Sequence, residues 1–180
     1  MNKVLKEILS TGVYLLIVLV LTYLVILYVG QRTEVKGDSM EPTLSNGDNL
    51  IVDKISYRFR DPERYEIIVF PYRHQEDTFY IKRIIGLPGE TVQIKDGEVY
   101  INGKLLGENY GIEKIEEGKE GLAAEPIYLG EDEYFVMGDN RNHSSDSRDP
   151  SVGVLTKDDL IGRAWIRIWP LSDIGVIPHE

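Results

Sequence analysis

Hydrophobic positions fall into two regimes along this 180-residue chain. From Ile8 to Gln31 there are 24 consecutive positions without a charge, and Val13 to Val29 is almost entirely Leu, Val, Ile and Tyr. At about 1.5 Å per residue, a helix over Ile8 to Val29 spans roughly 33 Å, which matches a bilayer core of about 30 Å. Tyr14, Tyr23 and Tyr28 are tolerable there, and those near the ends suit the lipid interface. A buried helix of a soluble domain would be shorter and carry a polar face. A cleaved leader would have a shorter apolar run followed by a small-x-small site, and Tyr28-Val29-Gly30-Gln31-Arg32 offers none. The pattern therefore predicts a retained anchor over 8–29, preceded by a short stretch 1–7.

Beyond residue 30 the pattern changes to short apolar runs broken by turn residues. Leu50-Ile51-Val52 follows Asn46-Gly47, and Ile67-Ile68-Val69-Phe70 is stopped by Pro71. Phe79 to Leu87 ends at Pro88-Gly89. Thr91-Val92-Gln93-Ile94 and Glu98-Val99-Tyr100-Ile101 flank Lys95-Asp96-Gly97, a hairpin signal, and Asn102-Gly103 supplies another turn. Tyr134 to Met137 and Arg163 to Trp169 complete the set. These predict a mainly β domain of coiled antiparallel sheets over 30–180, with a helical turn at 157–160 capped by Thr156. Gly107 to Pro126 is acidic, contains glycine and lacks periodicity, so it reads as an exposed insertion loop or weakly ordered lobe, open to a partner-binding role.

Composition narrows the chemistry. There is no cysteine, which removes disulfides, thiolate metal sites and a cysteine nucleophile. The net charge of −10, from 20 basic and 30 acidic residues, argues against nucleic acid as a partner. No phosphate loop, Gly-x-Ser-x-Gly elbow, His-Glu-x-x-His or dinucleotide glycine pattern is present. Of the three histidines, His179 is penultimate and His74 sits among charges, so a histidine-based triad has little support, and Asn142-His143-Ser144 fits the short glycosylation pattern. Lys3 and Lys6 before the apolar run balance Arg32 and Lys36 after it, so charge alone barely orients the anchor.

Serine and lysine remain. Gly37-Asp38-Ser39-Met40-Glu41-Pro42-Thr43-Leu44 begins just beyond the apolar run and would hold Ser39 near the membrane surface, although read alone it is only a turn. Lys82 stands in the apolar strand Phe79 to Leu87, on the face shared by Tyr80 and Ile84. Such a lysine usually reaches out to water. Buried and neutral, it becomes a general base: at an ordinary pKa of about 10.4 roughly 1 in 2,500 is neutral at pH 7, and desolvation lowers that value by about 3–5 units. A serine hydroxyl needs such a base to act as a nucleophile. The segment from Met137 to Arg148 is dense in short hydrogen-bonding side chains, suiting either a solvated loop or a network that orders a site, with Asp146 and Arg148 as an ion pair.

Four ordered blocks make the chain resemble the bacterial type I signal peptidases. They are Ser39-Met40-x-Pro42-Thr43-Leu44; Gly47-Asp48-x-Leu50-Ile51-Val52-x-Lys54; Lys82-Arg83-Ile84-Ile85-Gly86-Leu87-Pro88-Gly89-Glu90; and Gly138-Asp139-Asn140-Arg141 through Ser144-x-Asp146-Ser147-Arg148. Trp165-x-Arg167-x-Trp169-Pro170 adds to them. The resemblance implies a serine endopeptidase that removes signal peptides from secretory preproteins after small-x-small sites, typically Ala-x-Ala. Ser39 would be the nucleophile and Lys82 the general base, with Ser144 hydrogen-bonding and orienting the lysine and Asp146 and Arg148 bracing the site. Val35, Met40, Leu44 and Ile81 match substrate-pocket positions, and the substrate would add as a strand beside the one carrying Lys82. The backbone N–H of Ser39 would serve the oxyanion. Gly37 stands where some members carry a serine donor, a group typically worth about 2.7–4 kcal/mol. The resemblance further implies no metal or cofactor, membrane lipid as a partner, a cytoplasmic N-terminus and a catalytic domain outside the cytoplasmic membrane. A silent anchored β-domain that binds secreted partners, a self-cleaving repressor-type peptidase and an envelope scaffold are the alternatives; the pairing of Ser39 with Lys82 gives the first and last no reason, and the chain lacks the DNA-binding domain of the second.

Overall fold

The structure, a computed structural model, describes residues 3–75, 78–111 and 113–179. Residues 1, 2 and 180 at the ends of the expected segments, and residue 112 in the acidic insertion, lie outside these. The apolar run forms α1 (Lys3–Tyr28), which starts five residues earlier than its charge-free stretch. Every side chain described along α1 is exposed, so no protein surface accounts for its apolar character; the 20 residues Lys6–Val25 are long and apolar enough to cross a bilayer.

The chain passes directly into an antiparallel β domain. The large sheet contains β1 (Gly30–Glu34), β2 (Asn49–Asp53), β3 (Ile67–Pro71) and β4 (Phe79–Gly86). The small sheet is β5 (Thr91–Lys95), β6 (Glu98–Ile101), β7 (Lys104–Leu105) and β8 (Ile127–Tyr128), in the order β7-β6-β5-β8. The chain then returns to the large sheet with β9 (Glu133–Met137), β10 (Leu155–Thr156), β11 (Gly162–Trp169) and β12 (Gly175–Val176). The large sheet runs β1-β2-β11-β3-β4-β9-β10, with β12 on β11. A one-turn 3-10 helix, Lys157–Asp159, follows Thr156 as the sequence suggested.

Strict alternation explains the core. Along β3, Ile67 and Val69 join a cluster with Val35, Met40, Leu44 and Ile81, while Ile68 and Phe70 join another with Ile84, Tyr134 and Val136. Along β9, Phe135 and Met137 turn instead to a third cluster, with Ile85, Val92, Ile94 and Leu129, between the two sheets. Strands buried on both faces read as continuous apolar runs, which is why these segments looked uniformly hydrophobic.

The acidic segment is largely exposed, as a loop would be, but it is anchored at points the sequence did not show. Ile115 and Ala123 are buried in the inter-sheet cluster, and Gly121–Ala124 makes a 3-10 turn. The Ile115 N–H donates to Gly97 O at 3.1 Å, and the Leu122 N–H to Arg148 O at 2.9 Å. The segment is a strap across the small sheet, tied to the 138–148 loop. Its acidic residues had masked two apolar anchors too far apart to register as a period.

Candidate active site

Two strand edges are left open beside each other. β1 is the outer strand of the large sheet, and β4 pairs with β9 only from Arg83 onward, leaving one edge of Phe79 to Lys82 unpaired among the described residues. Between them runs a cleft of about 610 Å³, lined by residues 31–40 on one side and 78–82 on the other. Because it follows the edge of β4, residues from both faces of that strand reach it.

Ser39 and Lys82, 43 residues apart in sequence, meet at this cleft. Lys82 Nζ donates to Ser39 Oγ at 2.7 Å and to Ile81 O at 3.0 Å. Only 4% of Lys82 is exposed. Burial pushes its pKa down to about 8; Asp146 and Asp139 oppose that shift and Arg148 adds to it. Desolvation is the largest of these influences. Tyr80, two residues back on the same face, lays its ring 5.1 Å from the ammonium.

Guanidinium–carboxylate pairs form the back wall. Arg148 Nε and Nη2 donate to the two oxygens of Asp146, each at 2.8 Å, and the Gly138 N–H donates to Asp146 Oδ2 at 3.0 Å. Arg83 donates to Asp139 from Nε at 2.8 Å and Nη2 at 2.7 Å, and Thr43 Oγ1 adds a bond to Asp139 Oδ2 at 2.6 Å. Such bidentate pairs fix orientation as well as charge. Arg83 and Asp139 were not singled out from the sequence. The signal was there: an arginine inside an apolar strand requires a buried carboxylate.

The loop at Ser39 is held from behind by residues 138–140. The Asn140 N–H donates to Ser39 O at 3.1 Å, and Asn140 Nδ2 donates to Asp38 O at 3.2 Å. Gly138 passes so close that a Cβ there would collide with the Ser39 carbonyl oxygen and Ser144 Oγ, so any side chain must push them aside. Gly37 adopts φ +86°, and its N–H donates to Asn46 Oδ1 at 2.9 Å. The Ser39 N–H keeps no partner among the described residues.

Two expectations need adjustment. Ser144 lies beside Ser39 and Gly138, but its Oγ is buried and finds no hydrogen-bond partner among the described residues, Lys82 included. Val35, Met40 and Ile81 line the cleft, whereas Leu44 is fully buried in the cluster behind them and does not line it. The Leu44 N–H bonds to Met40 O at 2.9 Å, closing a turn that swings the leucine inward. Histidine does reach the cleft, as His143, but its Nδ1 lies 3.3 Å from Asn140 Oδ1 rather than on Ser39.

A serine hydroxyl held on a buried amine, at the end of an apolar-floored cleft between open strand edges, is suited to nucleophilic attack on an extended peptide. Comparison with known proteins identifies the family. Residues 8–169 match the family described as signal peptidase, peptidase S26. A probable signal peptidase I-2 of a Synechocystis species is 42% identical over 165 residues, covering 85% of this chain and 69% of its own. A signal peptidase I P of Bacillus subtilis subsp. natto is 37% identical over 165 residues, covering 89% and 88%. The crystal structure of a signal peptidase I from Enterococcus faecalis is 34% identical and covers 58% of this chain and 97% of its own, with a TM-score of 0.48. The chain belongs to the signal peptidase family, a membrane-anchored family of serine peptidases, and carries an N-terminal apolar helix of its own.

Proposed function

We propose that this enzyme removes signal peptides from secretory preproteins after small-x-small sequences, with Ser39 as nucleophile and Lys82 as general base. The observation that carries the reading is the 2.7 Å contact between Lys82 Nζ and Ser39 Oγ, made by a lysine that burial holds near pKa 8. The substrate enters as an extended strand between β1 and β4. Val35, Met40 and Ile81, which line the cleft, would contact the small side chain before the scissile bond.

Neutral Lys82 accepts the Ser39 hydroxyl proton as Oγ attacks the carbonyl carbon. The Ser39 N–H, which has no partner among the described residues, would serve the oxyanion; no side chain assists from position 37, which is glycine. Collapse breaks the C–N bond, and the Lys82 ammonium returns its proton to the departing amine. Lys82 then takes a proton from water as its oxygen attacks the acyl carbonyl; collapse breaks the ester C–Oγ bond, the Lys82 ammonium returns that proton to Ser39 Oγ, and the signal peptide leaves as a carboxylate. Asp146 and Arg148 brace the amine; Ser144, whose hydroxyl has no partner among the described residues, would turn to the lysine as its charge changes. The helix crosses the membrane with its N-terminus in the cytoplasm and the β domain outside, where the preprotein emerges.

The test is cleavage of a preprotein carrying an Ala-x-Ala site, in detergent or liposomes, by wild type, Ser39→Ala and Lys82→Ala, with cut sites read by mass spectrometry. Cleavage after the small residue that disappears in both variants is the expected result. Activity surviving in Lys82→Ala removes Lys82 as the base, and wild-type silence in lipid at alkaline pH removes the peptidase reading.

A further inference from the structure

The strap over 107–126 takes no part in the reaction above, yet its shielded ion pair is one contact away from the residues that hold the serine loop. The two oxygens of Glu108 accept both Nη groups of Arg141. This pair is shielded, the Glu108 and Arg141 side chains being 14% and 4% exposed. Arg141 Nε donates to Gly138 O at 3.1 Å, folding residues 138–141 into a corner. Within that corner Asn140 makes the two bonds to the backbone of Asp38 and Ser39. Other ties hold the strap in place: the Glu116 N–H donates to Asn142 Oδ1 at 3.0 Å, Asn142 Nδ2 donates to Lys114 O at 3.0 Å, and Arg148 Nη1 donates to Lys119 O at 3.2 Å. Tyr110 of the same strap lays its ring 3.6 Å from the guanidinium carbon of Arg83.

We infer that Glu108 is a positioning residue for Ser39, acting through Arg141: its carboxylate fixes the 138–141 corner from which Asn140 sets the Ser39 backbone and the direction of its N–H. A bidentate charged pair restrains the guanidinium in both angle and distance, which a solvated arginine would not do. The many parallel ties mean that losing the carboxylate loosens the corner without detaching the strap. The inference rests on Ser39 being the nucleophile, since only then does the aim of its backbone govern rate. Displacements of about 1 Å at a reacting group cost up to about 100-fold in rate.

The experiment uses the full chain in detergent with a peptide substrate containing Ala-x-Ala, comparing Glu108→Gln, Glu108→Asp, Arg141→Met and the double variant Glu108→Gln/Arg141→Met, each normalised to folded protein. For Glu108→Gln, kcat is expected to fall about 10- to 100-fold with KM changed by less than about twofold, the signature of a lost transition-state arrangement. The midpoint of the acid limb stays in place because Lys82 keeps its burial on β4. Glu108→Asp recovers part of the loss, and the double variant is no slower than Arg141→Met. A folded Glu108→Gln with wild-type kcat overturns the inference, as does a double variant whose loss is the product of the two single losses. Ser39→Ala in the same assay separates the two levels. If it is inactive while Glu108→Gln is normal, only the strap's role falls; if it is active, the nucleophile assignment falls and takes the inference with it.

Discussion

The acid limb of the rate profile tests the proposed dyad most directly. Only neutral Lys82 can take the Ser39 proton. With its pKa at about 8, against an ordinary 10.5, about 1 in 11 molecules carries the free amine at pH 7, where a solvated lysine would give about 1 in 3,000. Burial thus raises the working fraction about 290-fold at that pH, at the expense of a weaker base. kcat/KM reports the free enzyme, the state described here. Measured on an Ala-x-Ala peptide from pH 5.5 to 10 at constant ionic strength, log kcat/KM should climb with slope one, reach half its plateau near pH 8 and lie about 100-fold below plateau at pH 6. A flat profile between pH 6 and 9 refutes lysine as the base. A limb still climbing with slope one at pH 10 keeps lysine but refutes the claim that burial tunes it.

Three further outcomes follow from the same geometry. The folded pKa of Lys82 lies below its unfolded value, so the buried ammonium penalises the fold below about pH 8, and the penalty is relieved as pH rises from there toward 10.5. Lys82→Met should therefore be inactive yet more stable at pH 7, by up to about 3 kcal/mol or several degrees in Tm, with the advantage shrinking toward pH 10; a lower Tm than wild type at pH 7 contradicts this. Gly138→Ala should fold but lose at least about 100-fold in kcat, because the added methyl displaces the Ser39 carbonyl and Ser144; near-normal turnover would show that the loop yields freely. Asp139→Ala strands the fully buried Arg83 without its counter-charge and should cost about 3–5 kcal/mol in urea unfolding, a change of under 1 kcal/mol being the refuting result.

Much of this architecture is legible in the chain because it rests on local rules. The strands at Leu50–Val52, Ile67–Phe70, Phe79–Gly86 and Tyr134–Met137 announce themselves through apolar runs, and the turns between them through glycine, asparagine and proline. Lys82 stands out because a cation in such a run is costly unless something uses or neutralises it. The roles of neighbours were harder to read. Leu44 looks like a pocket residue, two positions beyond Pro42, until a single turn points it into the core. Ser144 lies beside the serine loop, but whether its hydroxyl meets the lysine depends on fractions of an ångström. The strap's contribution left no local trace, since its ties to the serine side join one strap residue to one residue of a loop some 30 positions away, as Glu108 to Arg141 and Lys119 to Arg148.

The sequence by itself determined which segments are apolar helix, which are strands, which serine and lysine could react, and which family the blocks resemble. Those features depend on composition and short periods, which a chain carries whatever its fold. The tertiary structure alone decided that Ser39 and Lys82 touch, that burial is the largest influence on the lysine's pKa, and that the acidic segment is a strap. Each of these is a sum of contacts between residues distant in sequence, in an interior where water is excluded, and desolvation has no value until the chain has closed around the group it acts on.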